Sequence, residues 1–240
     1  MTVRFLPCGD TAVTVEFGDR IDRVVSAAVL RLNAFVRAAS LPGVVETVPT
    51  FRSLTVHYDP LATDAASLIP AIEELVDGGR SETNSSKLWR VPACYAASHA
   101  TDLTDVAHRT GLSADEIVRL HSGTRFHIYM LGFAPGYPYM GDLPEALVLP
   151  RRTDPRTRVP AGSIAIAAGM TAIYPVESPG GWHLIGATPI RLFDPRRPRP
   201  ALFNAGDTVR FEPISTREFD AIRAAVAADA YEVPCESVAA

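Results

Sequence analysis

Three stretches between residues 129 and 183 decide how this chain is read. They are Tyr129-Met130-Leu131-Gly132-Phe133-Ala134-Pro135-Gly136-Tyr137-Pro138-Tyr139, then Arg156-Thr157-Arg158-Val159-Pro160-Ala161-Gly162, then Pro179-Gly180-Gly181-Trp182-His183. Each is a stiff Gly/Pro turn carrying aromatic, Arg or His side chains. From residue 125 to 211 the helical period is absent. Short apolar runs at 126–131, 163–168, 182–185 and 190–193 alternate with turns instead, a pattern that predicts a barrel or a sandwich. Loops hung on a rigid sheet are where binding and catalytic groups concentrate, so this region reads as the floor and rim of a small-molecule pocket.

Working outward, residues 1–80 alternate strand and helix signals. The turn Gly9-Asp10 leads into Thr11-Ala12-Val13-Thr14-Val15-Glu16-Phe17, an alternation typical of a half-buried strand. Ile21, Val24, Val25, Ala28, Leu32, Phe35 and Val36 then recur at helical spacing, with Asp19 or Asp22 at the start. Two strands are expected at 44–48 and 53–58, and a second helix from Asp64, where Pro70 is tolerable only within the first turns. Two helices on one face of a small sheet make an α+β domain. The polar run 78–86 is the best boundary. Beyond it the pattern predicts a strand at 88–94, short helices at 102–110 and 114–121, a final helix from Ser215 and a frayed tail over 232–240. Capping boxes pair Ser113 with Glu116 and Ser215 with Glu218.

The 240 residues are 47% hydrophobic and 21% charged, the composition of an ordinary soluble globular protein. A net charge of −4 gives no basic field for nucleic acid. No run approaches the roughly 20 apolar residues of a membrane span, and the N-terminus lacks a signal-peptide core. Cys8, Cys94 and Cys235 are scattered, which argues for a reducing compartment, the cytoplasm, and against structural zinc. No metal-ligand spacing, G-x-S-x-G elbow or G-x-x-x-x-G-K-[ST] loop is present. Lys87 is the only lysine, so any phosphate or carboxylate grip falls to Arg, whose planar fork suits both anions.

Each turn has two readings. Phe133, Tyr137 and Tyr139 either fill a sheet corner or line a pocket, and buried tyrosine hydroxyls want polar partners. Arg151, Arg152, Arg156 and Arg158 form a positive patch that is either a solvated rim or an anion grip. In an extended segment Arg156 and Arg158 share one face and could hold an anion together. Gly180 and Gly181 either make a plain hairpin or bare backbone N–H groups for an anion nest or oxyanion hole. His183 follows as a proton donor or acceptor, with Glu177 near enough in sequence to orient it.

In this order the turns resemble the B-subunit family of 5-oxoprolinases, known also from the kinase inhibitor KipI and as allophanate hydrolase subunit 1 or the carboxyltransferase N-half. The resemblance covers nearly the whole chain: Gly9-Asp10 with Val15-Glu16-Phe17-Gly18, residues 130–138, 155–162, Ile173-Tyr174-Pro175, 179–182 and Leu192-Phe193-Asp194-Pro195. It implies an α+β N-terminal domain (1–80), joined by a linker (81–87) to a mainly-β, cyclophilin-like barrel domain (88–214), with a C-terminal helix and tail (215–240). It further implies a non-autonomous subunit of an ATP-dependent amidohydrolase that opens 5-oxoproline to glutamate together with subunits A and C. Mg-bound ATP is expected to act through the complex, with no tightly bound cofactor in this chain. On that reading Tyr129, Arg156, Arg158 and His183 are catalytic. Phe133, Gly136, Tyr137, Thr171, Tyr174, Gly180, Gly181 and Trp182 bind the substrate.

A lactam is a poor electrophile, and phosphorylating its oxygen makes an imidate that water can attack. Arg forks and backbone N–H groups suit that task. The sequence departs from the family pattern at Met170 and His183, where Gln is usual, which points to changed hydrogen bonding around a polar ligand. Two other readings share the resemblance. One is the carboxyltransferase half of a biotin-dependent urea or amide carboxylase, and the other a KipI-like histidine-kinase inhibitor without catalysis.

Overall fold

The alternation after Gly9-Asp10 becomes an inner strand of the first of two large sheets. The structure is a computed structural model describing residues 3–78 and 86–238, and the chain divides into two compact units, Met1–Asn84 and Ser85–Ala240. Among the described residues no helix is long and apolar enough to cross a membrane.

In the first unit, β1 (Arg4–Pro7), β2 (Ala12–Glu16), β3 (Val44–Pro49) and β4 (Ser53–Tyr58) form an antiparallel sheet in the order β1-β2-β4-β3. Alternation assigns the faces. Val13, Val15, Leu54 and Val56 enter one buried cluster with Val29 and Leu32 of α1 (Arg23–Ala39) and Leu68 and Ile72 of α2 (Ala65–Gly78). Thr14 and Thr55 instead meet hydroxyl to hydroxyl at 2.9 Å. Asp22 caps α1 by accepting from Val25 N at 2.8 Å, and Asp64 does the same for α2 through Ser67 N. Strand β1 carries no hydrophobic alternation, because it is an edge with mostly exposed side chains, and the sequence pattern does not predict it.

The second unit contains, in chain order, β5 (Ser86–Ala93), α3 (Leu103–Thr110), α4 (Ala114–Gly123), β6 (Arg125–Leu131), β7 (Pro138–Gly141) and β8 (Arg156–Val159). There follow β9 (Ser163–Ala167), β10 (Met170–Ile173), β11 (Ser178–Gly180), β12 (His183–Ala187), β13 (Thr208–Pro213), α5 (Thr216–Ala227) and β14 (Cys235–Val238). Both expected capping boxes are formed, Ser113 with Glu116 and Ser215 with Glu218. Strand β5 begins at Ser86, inside the stretch expected as linker; residues 79–85 lie outside the described residues.

Eight strands make one sheet in the order β12-β9-β10-β7-β6-β13-β5-β14, and β8 pairs with β11 in a separate ribbon. The expected closed barrel is not found, since the hydrogen-bonded order is open. Strand β12 meets the end of β5 only where Cys94 and Ala187 exchange backbone bonds of 2.8 and 2.9 Å. The physical reason is β14. It pairs with β5 along residues 86–89 and takes the edge that a closing strand would need. That pairing also corrects the expectation of a frayed tail over 232–238, while residues 239–240 lie outside the described residues.

The core is built by Phe126, Ile128, Met140, Ile164, Ile166, Val209 and Phe211, against Val106 and Ile117 from α3 and α4. One polar relay crosses it. The Tyr95 hydroxyl donates to His121 Nδ1 (2.8 Å), His121 Nε2 donates to Thr171 Oγ1 (2.9 Å), and Thr171 donates to the Ala165 carbonyl (3.2 Å). That direction is required, because the final acceptor is a carbonyl. Burial drives the His121 pKa down to about 3, so the ring stays neutral. At the head of β5, Lys87 Nζ lies 5.1 Å from the Trp89 ring centre, and Trp89 Nε1 donates to the buried Asp207 at 2.9 Å.

Candidate functional site

Strand β7 has two faces. Met140 points into the core, while Tyr137, just before the strand, and Tyr139 point to the other side and join Tyr174 and Trp182. Tyr137 stands edge-on to Tyr174 (5.2 Å, 90°) and to Trp182 (6.4 Å, 88°), and Tyr139 lies 5.0 Å from Tyr137 and 6.1 Å from Trp182. Phe133 extends this wall outward. It is 65% exposed, 5.2 Å from Tyr137, and held at φ +69°, a conformation rare for an aromatic residue. Gly136, at φ +76°, turns the chain where an added Cβ would press on Phe193 at 3.0 Å. Gly180 lies so close to the Tyr174 hydroxyl that no side chain fits there.

Burial raises the phenol pKa of Tyr137, reinforced by Tyr174 and Tyr139, and burial raises those of Tyr139 and Tyr174 as well. At neutral pH all three are phenols, able to donate and accept hydrogen bonds but not to act as anionic bases. The Arg151 guanidinium lies near enough to oppose the shift at each of the three.

The other expected site residues are placed differently. Strand alternation lets Arg156 and Arg158 share an anion, but the structure separates their roles. Arg156 forms a two-pronged pair with Asp102 (Nη1 2.9 Å, Nη2 2.6 Å), which is 4% exposed and also accepts from Arg152 Nη1 (3.2 Å) and Leu184 N (2.7 Å). Arg158 makes its own two-pronged pair with Glu177, 3.0 Å at each prong, in the open. The two guanidiniums share a strand but serve different carboxylates, because each long side chain reaches the acceptor nearest its tip.

His183 is buried. Its Nε2 donates to the Pro150 carbonyl at 3.0 Å, and its Nδ1, without a hydrogen bond, faces Asp105 at 3.9 Å. Thr171 belongs to the core relay. Tyr129 packs its ring on Gly141, edge-on to His127, and donates to Asp142 Oδ1 at 3.2 Å. Gly180 and Gly181 lack the left-handed backbone of an anion nest; Gly180 pairs with Arg156 in the ribbon, and the Gly181 carbonyl accepts from Arg152 N at 2.8 Å. Phe133, Tyr137, Tyr174, Gly180 and Trp182 are therefore brought together, with Gly136 shaping the turn, while the others support them or lie elsewhere. The sequence pattern does not single out Asp102 or Arg151. Asp102 looks there like a plain helix start, and Arg151 like one of four similar arginines.

A phosphate group calls for an open helix N-terminus or a nest of backbone N–H groups. Each of the five α-helices of the described residues has a carboxylate at its start: Asp22, Asp64, Asp102, and Glu116 and Glu218 in their capping boxes. These residues do not fit a nucleotide triphosphate at any helix start. A cavity of about 580 Å³, lined by none of the four rings of the aromatic wall, lies between α5 and the turns at 160–163 and 188–191, with His99 and Phe219 at its side.

A family model described as carboxyltransferase domain, subdomain C and D, matches residues 3–203. The chain belongs to that family. This carboxyltransferase-domain protein is 36% identical over 236 residues to the B subunit of the Bacillus subtilis 5-oxoprolinase, a match covering 93% of this chain and 98% of that one. The crystal structure of TTHA0988 superposes with a TM-score of 0.77 at 34% identity over 89% of this chain, which spans only 41% of TTHA0988. The urea amidolyase of K. lactis shares the fold, with a TM-score of 0.82 at 19% identity, covering 98% of this chain and 16% of the amidolyase.

Proposed function

We propose that this chain is the B subunit of a cytoplasmic 5-oxoprolinase, opening 5-oxoproline to glutamate with ATP hydrolysis in a complex with subunits A and C. The observation that carries this is the match along 98% of the corresponding Bacillus subtilis protein. In this reading the flat lactam ring rests on Phe133 and Tyr139, the exposed side of the wall, with Tyr137, Tyr174 and Trp182 buried behind them and Gly136 and Gly180 shaping the turns. The protonated phenols donate to the lactam oxygen. Tyr129, Arg156, Arg158, His183, Thr171 and Gly181 act from behind this wall, where Arg156 and His183 fix the segments that carry it. ATP, with its Mg, is held by another subunit, which agrees with four α-helix starts capped by carboxylates and a fifth that carries the buried carboxylate of Asp102. The same reading takes residues 1–80 and 88–214 as two domains, the second a cyclophilin-like barrel closed only at the Cys94–Ala187 pair.

The test is reconstitution of the three subunits, following ADP and glutamate together. Equal release of both, dependent on 5-oxoproline and on this chain, is the expected result; absence of either product refutes the assignment. The likeness to urea amidolyase favours a carboxyl-transfer reading second, but it bears on fold alone. Transfer of labelled CO₂ from carboxybiotin to urea by the same mixture would put that reading first.

A further inference from the structure

We propose that Arg151 is the anion-binding residue of the aromatic site, aimed there by a two-sided clamp on Pro150–Arg151–Arg152, and that it selects a small flat ring bearing a carboxylate. The choice of ring rests on the functional reading above; the role of Arg151 rests on geometry.

The four arginines of the patch differ in what they already hold. Arg152 and Arg156 share buried Asp102, and Arg158 is paired with Glu177. Arg151 makes no ion pair among the described residues, and its charge bears on the phenols of Tyr137, Tyr139 and Tyr174. An exposed, unpaired arginine is ordinary on a surface. What sets this one apart is the backbone that carries it.

On one side, the Leu149 carbonyl accepts from Ala168 N at 2.7 Å and the Pro150 carbonyl from His183 Nε2 at 3.0 Å. On the other, Arg152 N donates to the Gly181 carbonyl at 2.8 Å, and the Arg152 side chain is tied to Asp102. Pro150 adds a fixed φ. With its neighbours anchored towards β9–β10, β12 and α3, residue 151 has little backbone freedom left to lose on binding, which is the meaning of preorganisation. A guanidinium so placed offers a planar fork to a carboxylate while the rings beneath take a flat ligand.

His183 is then a positioning residue. Among the described residues the ring's only hydrogen-bond partner is a carbonyl, so Nε2 carries the hydrogen, and Nδ1 faces Asp105 at 3.9 Å.

The probes are 5-oxoproline, 2-pyrrolidinone (the same ring without the carboxylate) and inorganic phosphate, titrated into the full chain by calorimetry and by Trp182 fluorescence. The wild type is expected to bind 5-oxoproline roughly 10- to 100-fold tighter than 2-pyrrolidinone, the span of a charge-assisted hydrogen bond. Arg151→Gln should erase that preference and leave 2-pyrrolidinone binding unchanged, and Arg151→Lys should restore part of it. His183→Ala should weaken 5-oxoproline alone, and His183→Gln, which keeps an N–H at similar reach, should recover it.

The proposal is overturned if the wild type shows no preference, if Arg151→Gln keeps it, or if phosphate binds more tightly than 5-oxoproline. Turnover separates this from the functional reading. Arg151-dependent binding without ADP release in the three-subunit mixture sinks the reading and leaves the inference standing. Turnover with an unchanged KM for 5-oxoproline in Arg151→Gln does the reverse.

Discussion

Replacing Asp102 with asparagine should loosen the β8–β11 ribbon from the rest of its unit. The carboxylate is 4% exposed and accepts three guanidinium hydrogen bonds, at 2.6, 2.9 and 3.2 Å, together with Leu184 N at 2.7 Å. Asparagine retains one acceptor oxygen and turns an NH₂ group towards two cations. Removing one partner from a buried ion pair costs about 3–5 kcal/mol. Arg152 and Arg156 are 27% and 26% exposed, so water relieves part of their loss, and about 3 kcal/mol is the expected cost.

Both tryptophans of the chain, Trp89 and Trp182, lie in the second unit, so their fluorescence follows that unit alone during urea unfolding. With a urea slope of about 2 kcal/mol per molar, the midpoint should fall by about 1.5 M. Arg158→Gln, which breaks only the open pair with Glu177, should leave the midpoint where it is. A fall of less than about 0.3 M for Asp102→Asn, within the usual error of such extrapolations, refutes the idea that this carboxylate anchors the ribbon.

His121 gives a pH dependence of known sign. Burial holds its folded pKa down to about 3, so below its ordinary value of 6.5 the unfolded chain binds a proton that the folded chain refuses. The stability of the second unit should be complete above about pH 6.5 and fall at about 1.4 kcal/mol per pH unit towards pH 3, a loss of about 2 kcal/mol at pH 5. Urea midpoints at pH 5 and 7 should converge in His121→Gln, and an unchanged difference would falsify the assignment. Gly180→Ala puts a methyl into the Tyr174 hydroxyl and should cost about 1–3 kcal/mol. Gly181→Ala meets its nearest neighbour, Pro155, at an ordinary 3.5 Å and should fold as the wild type does, which thermal unfolding of the pair will decide. Ile128→Ala, at a fully buried core position, should lower stability by about 2–5 kcal/mol in the same assay.

What can be read from the sequence is whatever is encoded locally. Ser113 with Glu116 and Ser215 with Glu218 close capping boxes within four residues, and the alternation of β2 and β4 names its own buried face, so those elements are legible. Tyr137, Tyr174 and Trp182 each stand beside a Gly/Pro turn, which is why their gathering is foreseeable. Strands β1 and β14 are held by backbone pairing while their side chains stay largely exposed, so no hydrophobic period announces them. The open sheet follows from β14 and is hidden with it. Asp102 lies 54 residues from Arg156 and 82 from Leu184, and only the fold brings those partners together. The fate of Arg156 and Arg158 is therefore not legible: strand alternation fixes the side on which a guanidinium starts, not the carboxylate it reaches.

Lys87, resting over Trp89 at the head of β5, carries the one side-chain primary amine of the chain. An acylating dye or photocrosslinker therefore has a single side-chain address, on a strand flanked by β13 and β14. An indole quencher is built in beside it at 5.1 Å. Guanidiniums elsewhere leave the aromatic wall chemically untouched, so a label at this spot can report on assembly without disturbing the residues under test.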